Sequence, residues 1–157
     1  MREINIQAFE TPAEADIVDK LRNANIPLLS LVAEDDKKIV GHILFSQAVI
    51  KNDKNNIVGM GLAPMAVIAD RQKQGIGSLL VNEGIKNINY QKIPFVIVLG
   101  HPEYYPKFGF EPASKYNIKC QWDGVPDEAF MIMILDDQAM NNISGTAFYR
   151  NEFNEAI

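Results

Sequence analysis

Phe95-Val96-Ile97-Val98-Leu99 is an unbroken apolar run rich in β-branched residues, the pattern of a central strand covered on both faces. Such a strand needs a layered molecule, with helices packed against a sheet. The segment before it supplies a helix. From Gly75 to Tyr90 the period is helical, with Ser78, Asn82, Lys86 and Asn89 along one wet stripe and Ile76, Leu80, Gly84 and Ile88 elsewhere. The apolar arc is broad, which predicts a well-buried helix. Further upstream, Ile57 to Ala69 is apolar and contains Gly59, Gly61 and Pro64. A proline inside a strand lacks the ladder N–H, so Pro64 marks an edge, a bulge or a splayed segment. The three segments together make a β-α-β unit.

The remaining elements are shorter. Ile4, Ile6 and Ala8 alternate with Asn5 and Gln7 as in a half-buried strand. Thr11-Pro12-Ala13-Glu14 then opens a helix: Thr11 caps it, Pro12 suits the first helical position and Glu14 completes a capping box. Ile17, Val18, Leu21 and Ala24 form its apolar face, and Asn25-Ile26-Pro27 ends it. Leu28 to Glu34 reads as a strand that turns at Asp35-Asp36-Lys37-Lys38 into a second, Ile39 to Ile50, an antiparallel hairpin. Lys51 to Asn56 is a polar turn. After the central strand, Pro102 to Phe108 is expected to form a short helix ended by Gly109. Lys115 to Trp122 and Ala129 to Leu135 read as a final strand pair. The stretch from Asp136 to Ile157 is a polar tail with Phe148, Tyr149 and Phe153 as anchors.

Composition narrows the class. A chain of 157 residues, 47% hydrophobic and 22% charged, fits one domain spanning residues 1–157. No apolar run approaches the roughly 20 residues that cross a bilayer, and Met1-Arg2-Glu3-Ile4-Asn5 lacks a signal-peptide core, so a cytoplasmic protein without membrane partners is expected. A single cysteine, Cys120, allows no internal disulfide, and two histidines with no Cys/His cluster suggest no metal site. A net charge of −5 argues against a nucleic-acid partner, which calls for clustered Lys and Arg.

The most informative segment is Val67 to Ser78, a strand end followed by a glycine-containing turn that opens a helix. The first helical turn has unpaired N–H groups, and the helix dipole adds about half a positive charge there, so the turn is suited to bind a phosphate. An ordinary glycine-rich turn is the competing reading. The segment lacks the Gly-x-x-x-x-Gly-Lys-Ser/Thr of a nucleotide P-loop and the Gly-x-Gly-x-x-Gly of a Rossmann site.

Gln72-Lys73-Gln74-Gly75-Ile76-Gly77 matches the Gln/Arg-x-x-Gly-x-Gly/Ala signature of the GNAT superfamily, and Tyr104-Tyr105-Pro106-Lys107-Phe108-Gly109-Phe110 resembles its aromatic-Tyr-x-x-hydrophobic-Gly-Phe segment. The surroundings, Leu62 to Val67 and Gly100 to Tyr105, resemble the YhbS-like branch, and element order agrees from Ile4 to Leu135. The resemblance implies an α/β (mixed α+β) fold. Its central mixed sheet is mostly antiparallel and flanked by helices, and a parallel fourth and fifth strand splay apart to admit the pantetheine arm of acetyl-CoA. By the same resemblance, backbone groups of Met65, Ala66, Val67 and Ile68 face the pantetheine. Amides of Lys73, Gln74, Gly75, Ile76, Gly77 and Ser78 take the pyrophosphate, after Gln72 at the head of the signature, and Arg71 or Lys73 adds charge at the adenosine phosphate.

The implied reaction is direct attack of a primary amine on the thioester, with the amine on a small molecule or a protein. Tyr105 occupies the position of the general-acid tyrosine; a phenol with a reference pKa of about 10 suits a thiol leaving group. Core packing is the competing role, and of the two adjacent rings Tyr104 is the better candidate to pack inward. Gly61 to Ala69 holds no carboxylate, so the glutamate base of many relatives has no counterpart. His101 is then the candidate base, directly or through water, with a reference pKa of about 6.5; a surface histidine at a helix start is an equal reading. A main-chain N–H near Val67 is the candidate oxyanion donor. His42 reads as structural and Glu103 as solvated. Phe130, Met131, Ile132 and Met133 read as core before pocket lining, and Cys120 reads as a passive thiol. Arg150 and the aromatic tail are candidates for closing a pocket or for a homodimer contact. A non-catalytic acyl-CoA sensor is the alternative to the enzyme.

Overall fold

The apolar run at 95–99 lies at the centre of a mixed sheet. In the computed structural model, which describes residues 16, 19–21, 23 and 28–155, eight strands pair in the order β5-β7-β4-β3-β2-β8-β6, with β1 also on β2. They are β1 (Leu28–Asp35), β2 (Lys38–Lys51), β3 (Asn56–Val67), β4 (Phe95–Leu99), β5 (Glu111–Pro112), β6 (Ile118–Cys120), β7 (Phe130–Ile134) and β8 (Gly145–Phe148). Helix α1 spans Ile76–Tyr90 between β3 and β4. The expected strand Ile4–Ala8 and the capping box at Thr11 lie outside the described residues; Asp16, Asp19, Lys20, Leu21 and Asn23 are helical, as expected. The described residues group into two compact units, one drawn from Met1–Ser46, Ala63–Lys86 and Arg150–Ile157, the other from Gln47–Leu62 and Asn87–Tyr149.

In the first unit, β1 and β2 form the expected hairpin, with Asp35 opposite Lys38. Its two loop residues, Asp36 and Lys37, have φ of 50° and 62°, the primed turn whose twist matches paired strands. The odd-numbered side of β2 carries α1. A Cβ on Gly41 would touch Ile76 and Leu80, and the fully buried ring of Phe45 lies against Gly84. Burying a ring of this size stabilises by roughly 2–3 kcal/mol, which fixes where α1 lies on β2. The start of α1 is held as well, because Ile76 packs on a cluster of Val40, Ala66 and Ile68.

In the second unit, Phe95, Val96, Ile97 and Val98 are each at most 1% exposed, as a strand covered on both faces must be. β4 pairs in parallel with β3 through Met60↔Val96, Gly61↔Ile97 and Leu62↔Val98. This is the parallel pair expected between the fourth and fifth strands, counting Ile4–Ala8 as the first. On its other edge β4 pairs antiparallel with β7, from Phe95↔Ile134 to Leu99↔Phe130.

Two expectations are corrected. The segments 115–122 and 129–135 are not partners: β6 pairs in parallel with β8, whereas β7 pairs with β4 and β5. Phe130, Met131, Ile132 and Met133 are buried at 8% exposure or less, and such a run gains most beside the equally apolar β4. The tail is also not merely polar. Gly145–Phe148 forms β8, joined to β2 by Val49↔Phe148, Ile50↔Ala147 and Lys51↔Thr146. Cooperation between these strands, rather than any local pattern, makes this short segment extended.

Candidate functional site

β3 ends at Val67, two residues before the expected boundary, and a short 3-10 turn, Ala69–Arg71, leads to the signature residues. Several contacts hold this connection. The Ile68 N–H donates to Val40 O at 2.9 Å, and the Gln72 amide Nε2 donates to Val67 O at 3.0 Å. Gln72 therefore clamps the loop to the strand end, a structural task for the first residue of the signature. The guanidinium of Arg71 pairs with the Asp35 carboxylate at the end of β1. The pair is about 35% and 47% exposed, so it contributes at most about 1 kcal/mol.

The turn itself bends through two left-handed residues, Lys73 at φ 64° and Gly75 at φ 88°. Gln72, Lys73, Gln74 and Gly75 are exposed, and Ile76, Gly77 and Ser78 are half-buried. The first helical rung runs from the Leu79 N–H to Gly75 O at 3.0 Å, so the N–H groups before Leu79 lie ahead of that rung and point out of the helix end. No acidic side chain stands in the first turn of α1 to oppose an anion, and a Cβ built on Gly75 meets nothing within 4 Å. The turn thus presents several donors, a positive dipole end and open space, which fits a diphosphate ester. Met65 and Val67 are half-exposed along β3, alternating with buried Ala66 and Ile68. A ligand lying on this strand would meet main-chain groups at every position and side chains at alternate ones.

Tyr105 begins the 3-10 turn Tyr105–Phe108, which Gly109 ends in a left-handed conformation. The burial order of the two tyrosines is the reverse of the expected one. Tyr105 is 7% exposed, whereas Tyr104 is half-buried. The reason lies at Gly100: the Tyr105 ring occupies the place where a Cβ there would stand. It also meets Tyr104 and Phe110 edge to face, at 5.1 and 5.7 Å between ring centres. Burial, with the neighbouring Tyr104 second, pushes the Tyr105 phenol up to about 12, so it stays protonated at neutral pH.

His101 is exposed, and its carbonyl accepts the Tyr104 N–H at 3.1 Å. With Pro102, Glu103 and Tyr104 it lines a shallow concavity of about 540 Å³. His42, by contrast, is fully buried in β2, 3.0 Å from the Ser30 hydroxyl, the structural setting expected of it. Burial pushes the half-buried Cys120 thiol up, leaving little thiolate at neutral pH. No metal-binding cluster occurs among the described residues.

Sequence reasoning missed one residue. Tyr149, read as an anchor within the aromatic tail, is 5% exposed, and its single hydroxyl proton points between Leu62 O at 3.1 Å and Ile97 O at 3.3 Å. Those two carbonyls belong to β3 and β4. No local pattern carries this signal, because Leu62 and Tyr149 stand 87 positions apart.

The segment 28–112, which contains both the turn and the Tyr104–Phe110 segment, matches the acetyltransferase (GNAT) domain. Over 149 residues the chain is 36% identical to the N-acetyltransferase YhbS of Escherichia coli K12, covering 94% of this chain and 87% of that protein. The crystal structure of Escherichia coli YhbS in complex with CoA superposes with a TM-score of 0.90 at 34% identity, over 98% of this chain and 84% of that one. A GNAT acetyltransferase from Brucella melitensis in complex with acetyl-CoA gives 0.76 at 30% identity, over 97% and 88%. With the family match over residues 28–112 and relatives of this identity and coverage, the chain belongs to the GNAT acetyltransferase family.

Proposed function

We propose that this chain, as one domain over residues 1–157, is an N-acetyltransferase that moves an acetyl group from acetyl-CoA to a primary amine by direct attack. The observation that carries the reading is the exposed turn Gln72–Gly75, whose N–H groups precede the first rung of α1. Support comes also from the relatives, one solved with CoA and one with acetyl-CoA. Acetyl-CoA supplies the activated thioester; the chain supplies binding, orientation and protons.

In this reading the amides of Lys73–Ser78 bind the pyrophosphate. Backbone groups of Met65–Ile68 align the pantetheine, and a main-chain N–H near Val67 stabilises the oxyanion. Lys73, exposed on the turn, is the better-placed cation for the adenosine phosphate, since Arg71 is engaged by Asp35. Tyr105 donates its proton to the departing sulfur. A phenol near 12 is a weaker acid than a thiol near 8.5, but desolvation raises a buried thiol in the same direction and narrows the difference. His101 accepts the proton of the attacking amine, directly or through water. The acceptor is a small-molecule or protein amine, met in the cytoplasm, with neither nucleic acid nor membrane as partner.

The first test is calorimetric titration with acetyl-CoA, using Gly75→Glu as the obstructed control. Saturable binding lost in the variant supports the cofactor site; no binding by folded wild-type protein refutes it. An amine panel then separates the enzyme from a sensor. Tyr105→Phe should lower kcat by roughly 10²–10⁴ with cofactor affinity kept. Tight binding without turnover of any amine would favour the sensor, a reading that the lack of a carboxylate in Gly61–Ala69 supports.

A further inference from the structure

The β3–β4 ladder ends at Leu62↔Val98, although β3 runs on to Val67 and β4 to Leu99. Backbone directions show what the next rung would have been. N–H groups alternate between the two edges of a strand, and the Gly100 N–H donates to Ala129 O on the β7 side at 2.9 Å. The Leu99 N–H therefore faces β3. In a parallel ladder its partner is the carbonyl of Leu62, one residue short of a direct match.

That rung is occupied by a side chain. The Tyr149 hydroxyl donates toward Leu62 O at 3.1 Å, with Ile97 O also in range at 3.3 Å. One phenol thus takes the acceptor with which the Leu99 N–H would otherwise pair. A direct bond would place the two backbone atoms about 2.9 Å apart, a separation that leaves no room for a hydroxyl oxygen between them. The wedge is itself firmly held. The Tyr149 N–H donates to Gln121 Oε1 at 2.6 Å, and its ring stacks on Trp122 at 5.8 Å and 20°. Gly61 leaves room for it: a Cβ there would lie 2.5 Å from the ring.

We propose that Tyr149 is a positioning residue for the acyl donor: its hydroxyl replaces the rung after Leu62↔Val98, stops β3 and β4 from zipping further, and keeps the β3 edge beyond Leu62 open for the amides of the pantetheine. The proposal rests on the acetyl-CoA reading above. Without the hydroxyl, Leu62 O and the Leu99 N–H close on one another, and the ligand must break that bond to enter.

The test is Tyr149→Phe in the full chain, titrated with acetyl-CoA and assayed at varied acetyl-CoA and amine. The expected result is a Kd and KM for acetyl-CoA raised tenfold or more, with kcat and the KM for the amine within twofold of wild type. A variant that is less stable to urea yet binds acetyl-CoA within twofold of wild type overturns the proposal, since the phenol would then only support the fold. Should the variant not fold, the wild-type protein decides. Trp122 is the only tryptophan and stacks on the wedge, so saturating acetyl-CoA should change its emission along the calorimetric binding curve. Unchanged emission at saturation also overturns the proposal. Failure of wild-type protein to bind acetyl-CoA at all is a distinct result, which removes the underlying function with it.

Discussion

Substitution of Gly75 separates backbone strain from obstruction of the proposed phosphate site. Gly75 has φ 88°, and a Cβ there points into open space, so Gly75→Ala creates no clash and its cost in stability is conformational. An L-residue other than asparagine or aspartate loses about 1–2 kcal/mol in the left-handed region, which for a domain of this size lowers Tm by roughly 2–8 °C. Asparagine tolerates that region, so Gly75→Asn should lose less, although its side chain is larger. Affinity for acetyl-CoA should follow the opposite order. Each hydrogen bond from a turn amide to a charged phosphate contributes about 1.5–3 kcal/mol, so displacing the ligand from one amide weakens binding by roughly 10- to 100-fold. The larger Asn should reach that range while Ala weakens binding less. Urea denaturation and calorimetric titration of both variants give the two orders. Should affinity track stability, with Ala the weaker binder, the open space at Gly75 does not receive the ligand and the cradle argument fails.

Three further outcomes follow from the geometry. Because burial raises the Tyr105 phenol to about 12, its contribution to stability is complete below pH 10, where the unfolded phenol is also protonated. It is lost as pH rises from 10 to 12, at about 1.4 kcal/mol per pH unit. Urea denaturation at pH 9, 10 and 11 should show this slope, and Tyr105→Phe should reduce it by one proton; an unchanged slope would contradict the burial argument. Gly84→Ala gains roughly 1 kcal/mol of helix propensity but drives a Cβ into the Phe45 ring, an overpacking cost of about 1–3 kcal/mol. The variant should be neutral to 2 kcal/mol less stable, and clear stabilisation in a thermal melt would show that Phe45 moves freely. A double-mutant cycle on Arg71 and Asp35, a half-exposed pair, should return a coupling below about 1 kcal/mol; a larger value would mean that the pair braces the turn.

Legibility in the sequence follows the range of the interactions that shape each part. The run 95–99 was readable to the residue because burial on both faces leaves an unbroken apolar string. The Asp36-Lys37 turn and the helix from Ile76 are likewise written locally, in turn chemistry and in helical period. The turn at 72–75 belongs with these, since positive φ at Gly75 and exposed amides at a helix start depend on neighbouring residues alone. β8 escaped because only Ala147 of its four residues is buried, so its extended form depends on distant partners, β2 and β6. The mistaken pairing of 115–122 with 129–135 has the same origin: proximity along the chain suggested a hairpin, and apolar match with β4 prevailed. Tyr104 and Tyr105 could not be ordered from sequence because the deciding contact is the missing side chain at Gly100. Tyr149 looked like a tail anchor for want of any local mark of the two carbonyls it meets.

The position of β8 between β2 and β6 bears on how the second unit can assemble. β6 has no strand partner other than β8 among the described residues, so it cannot join the sheet early, however soon its own residues are available. Until Gly145–Phe148 arrives, the Val49–Lys51 edge of β2 lies open and Ile50, 0% exposed in the native fold, is left uncovered. Closing that edge demands a loop of nearly a hundred residues, a slow event by its entropy, and an open apolar edge is a template for pairing between chains. The interval before β8 docks is therefore when this protein is most prone to aggregate, and refolding at low concentration should recover more of it than refolding at high concentration.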